Sequence, residues 1–512
     1  MSRTRRFLGG LATGYVNQVV LTVIGIWLTA FLLKRLGQEE YGMWLVGAQI
    51  IGYLALLDLG VIALLPREIA ARIGRSDGTG QPELSVVFGR TLRLTLWQMP
   101  LVVLVGAIIW IAIPNEWEPL RVPLGIVMVV FVVFFPLRTL HSALQGLQDL
   151  AFLGTAHMVT WVIGTVVTVS LVLQGLGLLG LAVGWTVTQL SVALLWWIRI
   201  RRKHGNLVPK TIPHLSKDIA RDRLTRGMWV SVSQVAQILL RGTHLLLIGK
   251  ILGPAAVVPY YCTEKLLLVL GNQANMIPQT AIPALSELRA SEERSRLGQV
   301  TNALGLAVMI ISGGISCIIL ALNEGFIEWW VGEAQYGGIV LTVTLLAGMA
   351  LRHWNSTAVY TLFAFGRERR LAVTVLSDGI VTFVTTIALI QVIGPLGAAI
   401  ASLLGVCAVS LPSTLTALAR ELRVRLSSIL TAFWPWFWRF GLLATSSWLL
   451  GSVWQPKSFF TLAYTTIAVT LAYGAVMLPL ALRDPLGTYV KPRLATLSPR
   501  YLRRVFALDE YE

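Results

Sequence analysis

Six charged residues interrupt the apolar stretches of this sequence, and their types favour anion binding over covalent catalysis. They are Asp58, Arg241, Glu264, Lys265, Arg352 and Asp378. The planar guanidinium of an arginine can hold two phosphate oxygens at once, which suits a diphosphate. A charge inside an apolar segment is costly, so each must face a partner, a ligand or water. Such residues therefore mark a candidate functional site.

Polar side chains accompany these charges at helical spacing. Ser231, Gln234, Gln237, Arg241 and His244 are spaced to share one helical face. Amide and hydroxyl groups both donate and accept hydrogen bonds, which suits sugar hydroxyls. We therefore predict a wet cavity whose substrate-binding residues are Arg241, Arg352, Gln234, Gln237, His244, Lys265, Asn272, Asn275, Ser356 and Tyr360.

The same groups have a simpler interpretation, in which they pair with one another between helices. Glu264 could neutralise Arg241 or Lys265, and Asp58 and Asp378 lie near predicted helix ends where they could cap or pair locally. Asp58, Glu264 and Asp378 therefore remain either coupling carboxylates or ion-pair partners.

The elements that must position these residues are transmembrane helices. The 512 residues are 55% hydrophobic and 13% charged, with mean hydropathy +0.71, whereas soluble domains carry about 25% charged residues. About 20 apolar residues cross a bilayer. That length predicts an all-α polytopic protein with 14 spans, at 11–33, 41–65, 90–113, 121–141, 151–174, 177–198, 228–252, 256–283, 301–322, 338–364, 371–392, 395–419, 433–453 and 459–482.

The net charge of +17 imitates a nucleic-acid-binding protein, but its distribution indicates membrane topology. Most Lys and Arg residues fall on one side of the predicted spans, and the 199–226 segment alone holds nine. The opposite 323–337 loop has three glutamates and no Lys or Arg. The positive-inside rule then predicts cytoplasmic N- and C-termini in the cytoplasmic (inner) membrane. Membrane lipids are expected partners, and nucleic acid is not.

An internal repeat relates the first six spans to the next six. A shift of 216 residues places Gln18, Lys34 and Gly37 on Gln234, Lys250 and Gly253. Because each copy has an even number of spans, both point the same way, which predicts two six-helix lobes around a central cleft. We predict lobes at 1–205 and 228–425, a cytoplasmic linker at 206–227, an extra helix pair at 426–482 and a cytoplasmic tail at 483–512.

Short motifs in the first half resemble a known family. They are residues 34–42 (KRLGQEEYG), 57–60 (LDLG), 66–70 (PREIA) and 146–149 (GLQD). These are similar to bacterial polysaccharide and O-antigen flippases of the multidrug/oligosaccharidyl-lipid/polysaccharide exporter superfamily. The resemblance implies a V-shaped, two-lobed fold and alternating access, with an undecaprenyl-diphosphate-linked oligosaccharide as cargo. It also implies work beside polysaccharide polymerase and export proteins. Lipid II flippases of the superfamily carry two further spans.

The sequence argues against an enzyme and against a bound cofactor. It holds no P-loop, no nucleophile elbow and no metal-spaced cluster. Cys262, Cys317 and Cys407 all lie in apolar stretches and predict neither disulfides nor zinc. Two rivals to the flippase remain: a drug or cation antiporter of the same fold, and a membrane-embedded glycan enzyme.

Overall fold

The computed structural model describes residues 3–75, 81–209, 211–290 and 294–491, where the regular structure is helical and no strand occurs. Two compact units form by internal contacts, Met1–Ile238 with Gly253–Val257 and Leu239–Leu252 with Val258–Glu512. The helices of the first unit are α1 (Arg3–Leu54), α2 (Val61–Arg75), α3 (Gln81–Ile111), α4 (Glu118–Gly146), α5 (Leu150–Leu173), α6 (Gly177–Lys203) and most of α7 (Lys217–Arg241).

The second unit continues with eleven helices in the described ranges. They are α8 (Thr243–Leu252), α9 (Val257–Thr280), α10 (Ile282–Ala290), α11 (Arg294–Val331), α12 (Ile339–Ala364), α13 (Glu368–Ile393), α14 (Leu396–Gly405), α15 (Leu411–Leu422), α16 (Leu426–Ala432), α17 (Trp434–Val453) and α18 (Phe459–Ala481). The predicted domain boundaries remain predictions.

The all-α membrane fold is confirmed. Nine helices in the described ranges are long and apolar enough to cross a membrane, and ten if the bent α7–α8 pair is one span. One of the nine, Gln18–Asp58, covers two of the predicted spans. The predicted spans 256–283, 338–364 and 433–453 correspond to α9, α12 and α17. The count of 14 stays a prediction.

The second predicted span, 41–65, is not one helix. A 3₁₀ turn, Ala55–Asp58, follows α1, and Leu59 and Gly60 then take positive φ values of 48° and 69° before α2 begins. Left-handed backbone ends a helix because the ladder of hydrogen bonds cannot continue through it. The Oδ1 of Asp58 accepts the N–H of Gly60 at 2.9 Å, which satisfies one backbone donor freed by the break.

The predicted span 228–252 is also interrupted. Its two parts, Gln234–Leu240 and Thr243–Leu252, meet at 47°, with Gly242 in the turn between them. The polar stripe from Ser231 to His244 was predicted on a continuous helix, and that prediction was wrong beyond Gly242. Glycine destabilises a helix interior by about 0.5–1 kcal/mol relative to alanine, which makes this position a favourable place for a break.

Two pairs of positions related by the repeat share a positive φ. Gly37 and Gly253, paired by the shift of 216, have φ values of 81° and 93°. Gly177 and Gly394, paired by a shift of 217, have values of 52° and 65°. These angles favour glycine because other residues meet a steric penalty there. The match supports the repeat locally, while superposition of the two halves stays a prediction.

The predicted extra helix pair packs inside the second unit, where α17 and α18 lie against α11. The Tyr473 hydroxyl donates to the Ile310 carbonyl at 2.7 Å, and a Cβ at Gly313 would collide with that hydroxyl. A buried tyrosine that satisfies its hydroxyl anchors the contact with both apolar area and a hydrogen bond. The core here includes Leu306, Met309, Cys317, Trp436 and Met477.

Candidate functional site

Arg352 on α12 forms an ion pair with Asp378 on α13. Nη1 of Arg352 lies 3.1 Å from Oδ2 of Asp378. The Asp378 side chain is fully buried, whereas 27% of the Arg352 side chain is exposed. The pair is therefore asymmetric: the Asp378 carboxylate is enclosed, whereas the Arg352 side chain is partly exposed.

Hydroxyl groups complete the shell around this pair. Ser410 and Thr382 donate to the two Asp378 oxygens at 2.6 and 3.1 Å, and Nη2 of Arg352 donates to the Ser402 carbonyl at 3.0 Å. Ser410 ends a π-helical turn, Val406–Ser410, between α14 and α15. A π turn changes the register of a helix and is common at functional sites. A Cβ at the adjacent Gly405 would collide with the Asp378 carboxylate.

A second pair joins α8 and α9. Nε2 of His244 lies 3.2 Å from Oε2 of Glu264, with 15% and 16% of the two side chains exposed. The ring of Tyr260 packs on the imidazole at a centroid distance of 5.1 Å. Beside them, the Lys265 ammonium donates to the Tyr261 hydroxyl at 2.9 Å. An imidazole has a stable neutral form, so this pair can bind or release a proton in a way that an arginine–carboxylate pair cannot.

The other predicted binding residues are more scattered. Ser356 donates to the carbonyl of His353 at 2.7 Å, so its hydroxyl already has a local acceptor. Asn275 and Tyr360 are half-buried, Gln237 and Asn272 are exposed, and Gln234 is half-buried in α7. The backbone of Arg241 ends α7, but its side chain lies outside the described residues.

Asp58 is held inside the first unit. Its side chain is 2% exposed and lies 3.6 Å from Nη2 of Arg138 on α4. Nη1 of Arg138 also donates to the Ala55 carbonyl at 3.1 Å, and Gln98 donates to the Asp58 carbonyl at 3.0 Å. The carboxylate thus joins α4 to the break between α1 and α2. Arg138 was missed because it lies near the end of a predicted span and belongs to no polar stripe.

The 146–149 motif forms the tight turn between α4 and α5, where Gln148 has a φ of 58°. Asp149 accepts from Nε of Arg199 at 2.7 Å and lies 3.4 Å from the Lys203 ammonium. Burial raises the pKa of Asp149, but the hydrogen bonds and charges of Arg199 and Lys203 outweigh it and hold that pKa below its ordinary value. This motif has a structural role, joining the turn to α6.

Comparison with known proteins decides the family. The profile described as "Polysaccharide biosynthesis protein" matches residues 79–340, just over half of the chain. The chain belongs to this family. No similar sequence was found among curated proteins.

Solved structures share the fold of this polysaccharide biosynthesis protein. One is the lipid II flippase MurJ in an inward closed conformation, with TM-score 0.66 and 10% identity over 93% of this chain and 99% of that one. Another is an inward-facing multidrug resistance MATE family transporter of the MOP superfamily, with TM-score 0.61 and 14% identity over 83% and 99%. A MOP superfamily transporter from Pyrococcus furiosus matches at TM-score 0.50 and 15% identity over 83% and 94%. At these identities the likeness establishes a shared fold.

Proposed function

We propose that this protein is a flippase that carries an undecaprenyl-diphosphate-linked oligosaccharide across the cytoplasmic membrane by alternating access. Membership of the polysaccharide biosynthesis family supports a role in that process, and the fold shared with a flippase supports transport. The observation that carries the proposal is the Arg352 side chain, which is paired with fully buried Asp378 yet 27% exposed. Some N–H donors of such a guanidinium can leave their protein acceptors and donate to the oxygens of a diphosphate.

The charged side chains within the helices of the second unit favour an anionic sugar lipid over a cationic drug as the ligand. Arg352 and Lys265 are both half-buried within helices of that unit. A carrier for cations needs an uncompensated carboxylate, but Asp378 and Glu264 each have a basic partner at 3.1 and 3.2 Å. Cations near a binding site repel a cationic ligand and attract an anionic one.

Translocation by the purified protein tests this proposal. In proteoliposomes, fluorescent undecaprenyl-diphosphate sugar should become accessible to an impermeant quencher faster than in protein-free vesicles. Ethidium export by the same vesicles would instead support the antiporter. A change in the mass of the sugar lipid would support a membrane-embedded enzyme. Either result without sugar-lipid translocation contradicts the flippase.

The proposed orientation predicts opposite labelling at two exposed positions. Lys217 lies in the proposed cytoplasmic linker and Ala334 in the proposed external loop, and both are exposed. In a Cys407→Ala background, which removes the exposed native cysteine, we expect an impermeant maleimide to label Ala334→Cys in intact cells and to spare Lys217→Cys. Lysed cells, where both should react, provide the control. Equal labelling in intact cells contradicts the topology.

We further propose that polysaccharide polymerase and export proteins act on the delivered sugar lipid. Consumption of the product outside the membrane keeps transport moving in one direction. This requires no nucleotide-binding motif in the chain, and its sequence contains no P-loop.

A further inference from the structure

A cluster of arginines gathers where α2, α3 and the start of α7 meet in the first unit. Nη2 of Arg223 lies 2.8 Å from Oε2 of Glu68, and its Nη1 donates to the Thr91 hydroxyl at 2.7 Å. Arg72 approaches the same Glu68 oxygen at 4.0 Å. Arg90 precedes Thr91 on α3. Two guanidinium groups therefore approach one carboxylate, and the charge of Arg90 acts on the nearer of them, Arg223.

The linker packs tightly against this cluster. A Cβ at Gly89 on α3 would collide with Pro213 of the linker, and Nη1 of Arg93 donates to the Pro213 carbonyl at 2.8 Å. Apolar side chains of Val61, Leu94, Leu215 and Ala220 form a small core beneath. The arginines are thus positioned by packed helices and not by a free loop.

Positive charge exceeds negative charge here. Burial lowers the pKa of Arg223, Glu68 opposes that shift, and the charges of Arg72 and Arg90 reinforce it, so the three arginines feel one another. Glu68 is compensated by Arg223, and exposed Asp222 is the other carboxylate whose charge acts on Arg223. Three arginines against Glu68 and Asp222 leave one positive charge in excess.

Arg90 has a hydrogen-bond donor that is not used within the described residues. Its Nε is buried and has no hydrogen-bond partner among the described residues. A buried donor without a partner has lost its hydrogen bond to water without replacement, which is unfavourable. An anion with several oxygens would satisfy that donor and also neutralise the excess charge.

We propose that Arg72 and Arg90 form a phosphate-binding site that takes the phosphate group of a membrane lipid on the cytoplasmic side. Two lipids offer this chemistry: the prenyl diphosphate of the cargo and an anionic phospholipid. The cargo assignment rests on the proposed function. In that case the site captures the diphosphate in the inner leaflet before transport. Glu68 does not repel the ligand because Arg223 neutralises it at 2.8 Å.

Lipid binding to the full chain in phosphatidylcholine nanodiscs tests the site. Native mass spectrometry counts bound undecaprenyl diphosphate, phosphatidylglycerol or inorganic diphosphate. Compared with wild type, Arg72→Gln/Arg90→Gln should lose one bound lipid, through a binding step weakened about tenfold or more. The paired lysine variant should recover part of the affinity, since an ammonium keeps charge without the bidentate fork.

The controls separate this site from general charge and from folding. Arg221→Gln removes an exposed linker charge and should bind lipid as wild type does. The double variant should fold because the Glu68–Arg223 pair remains intact. Selective loss of undecaprenyl diphosphate identifies the cargo as ligand, and selective loss of phosphatidylglycerol identifies a phospholipid. Wild-type binding of all three probes by the double variant overturns the site.

Failure of the site can be distinguished from failure of the proposed function. Arginine-dependent lipid binding without sugar-lipid translocation by wild type keeps the site and contradicts the flippase. If wild type translocates the sugar lipid and the double variant binds lipid as wild type does, the flippase is supported and the phosphate-binding site is contradicted.

Discussion

Replacing Arg352 by glutamine is expected to reduce the folded yield sharply and to abolish translocation. The change leaves Asp378, which is fully buried, without its cation. Removing one partner of a buried ion pair typically costs about 3–5 kcal/mol, because the remaining charge is uncompensated. Asp378→Asn should cost less, since the arginine left behind is 27% exposed and can reach water or an anion. Fluorescence-detected size-exclusion chromatography measures the yields.

The double variant separates a structural role from a transport role. Arg352→Gln/Asp378→Asn removes both charges, so we expect the folded yield to recover most of its loss. If Arg352 binds cargo, this well-folded protein still fails to translocate. Recovery of transport along with yield would limit Arg352 to a structural pair.

A surface ion pair at the start of α13, the helix that carries Asp378, provides the matched control. Arg367 lies 2.6 Å from Glu421 and is 56% exposed. Exposed pairs contribute about 0–1 kcal/mol. Arg367→Gln should therefore leave yield and transport near wild type. A comparable loss in this variant would mean that removal of any arginine near α13 is harmful.

Hydropathy predicted the helices because crossing a bilayer demands long apolar segments whose backbone groups bond internally. The bounds of two helices illustrate this. Helix α5 spans Leu150–Leu173 where 151–174 was predicted, and α6 spans Gly177–Lys203 where 177–198 was predicted. Charge in an apolar segment also singled out Asp58, Glu264 and Asp378. Local composition was sufficient for these features.

The sequence offered Glu264 and Asp378 as possible partners of the arginines, but it could not decide which residues pair, because several partners come from distant parts of the chain. Arg138 lies 80 residues from Asp58, and Asp378 meets both Arg352 and Ser410 through three separate helices. The break at Leu59–Gly60 was missed for a similar reason. Its exposed backbone groups are satisfied by Gln98 and Arg138, which only tertiary folding brings there.

Replacing Glu264 by glutamine is expected to remove the dependence of transport on a proton gradient. Asp58 and Asp378 are paired with arginines, which keep their charge throughout the physiological range. Glu264 is paired with His244, whose imidazole, unlike a guanidinium, has a stable neutral form. A proton can therefore move onto this pair without stranding a permanent cation. We expect Glu264 to be the coupling carboxylate among the three.

Other ionisable groups near the pair are consistent with this role. Lys265 donates to Tyr261 at 2.9 Å, and Tyr260 packs on the imidazole at 5.1 Å. Neither group replaces His244 as the ionic partner of Glu264. The Lys265 ammonium contacts the Tyr261 hydroxyl, and the Tyr260 ring contacts the His244 ring. The change Glu264→Gln keeps the size of the side chain and one oxygen acceptor for His244 while removing the ionisable carboxylate.

Proteoliposomes with imposed pH gradients measure the coupling. For one proton per cargo, a gradient of one pH unit supplies about 1.4 kcal/mol and should shift the steady-state cargo ratio about tenfold in wild type. Glu264→Gln should show the same ratio with and without the gradient. Asp58→Asn is the matched control, because its amide oxygen can still accept the Gly60 N–H and its gradient response should be retained. A gradient response retained by Glu264→Gln and lost by Asp58→Asn would move the coupling carboxylate to the break between α1 and α2.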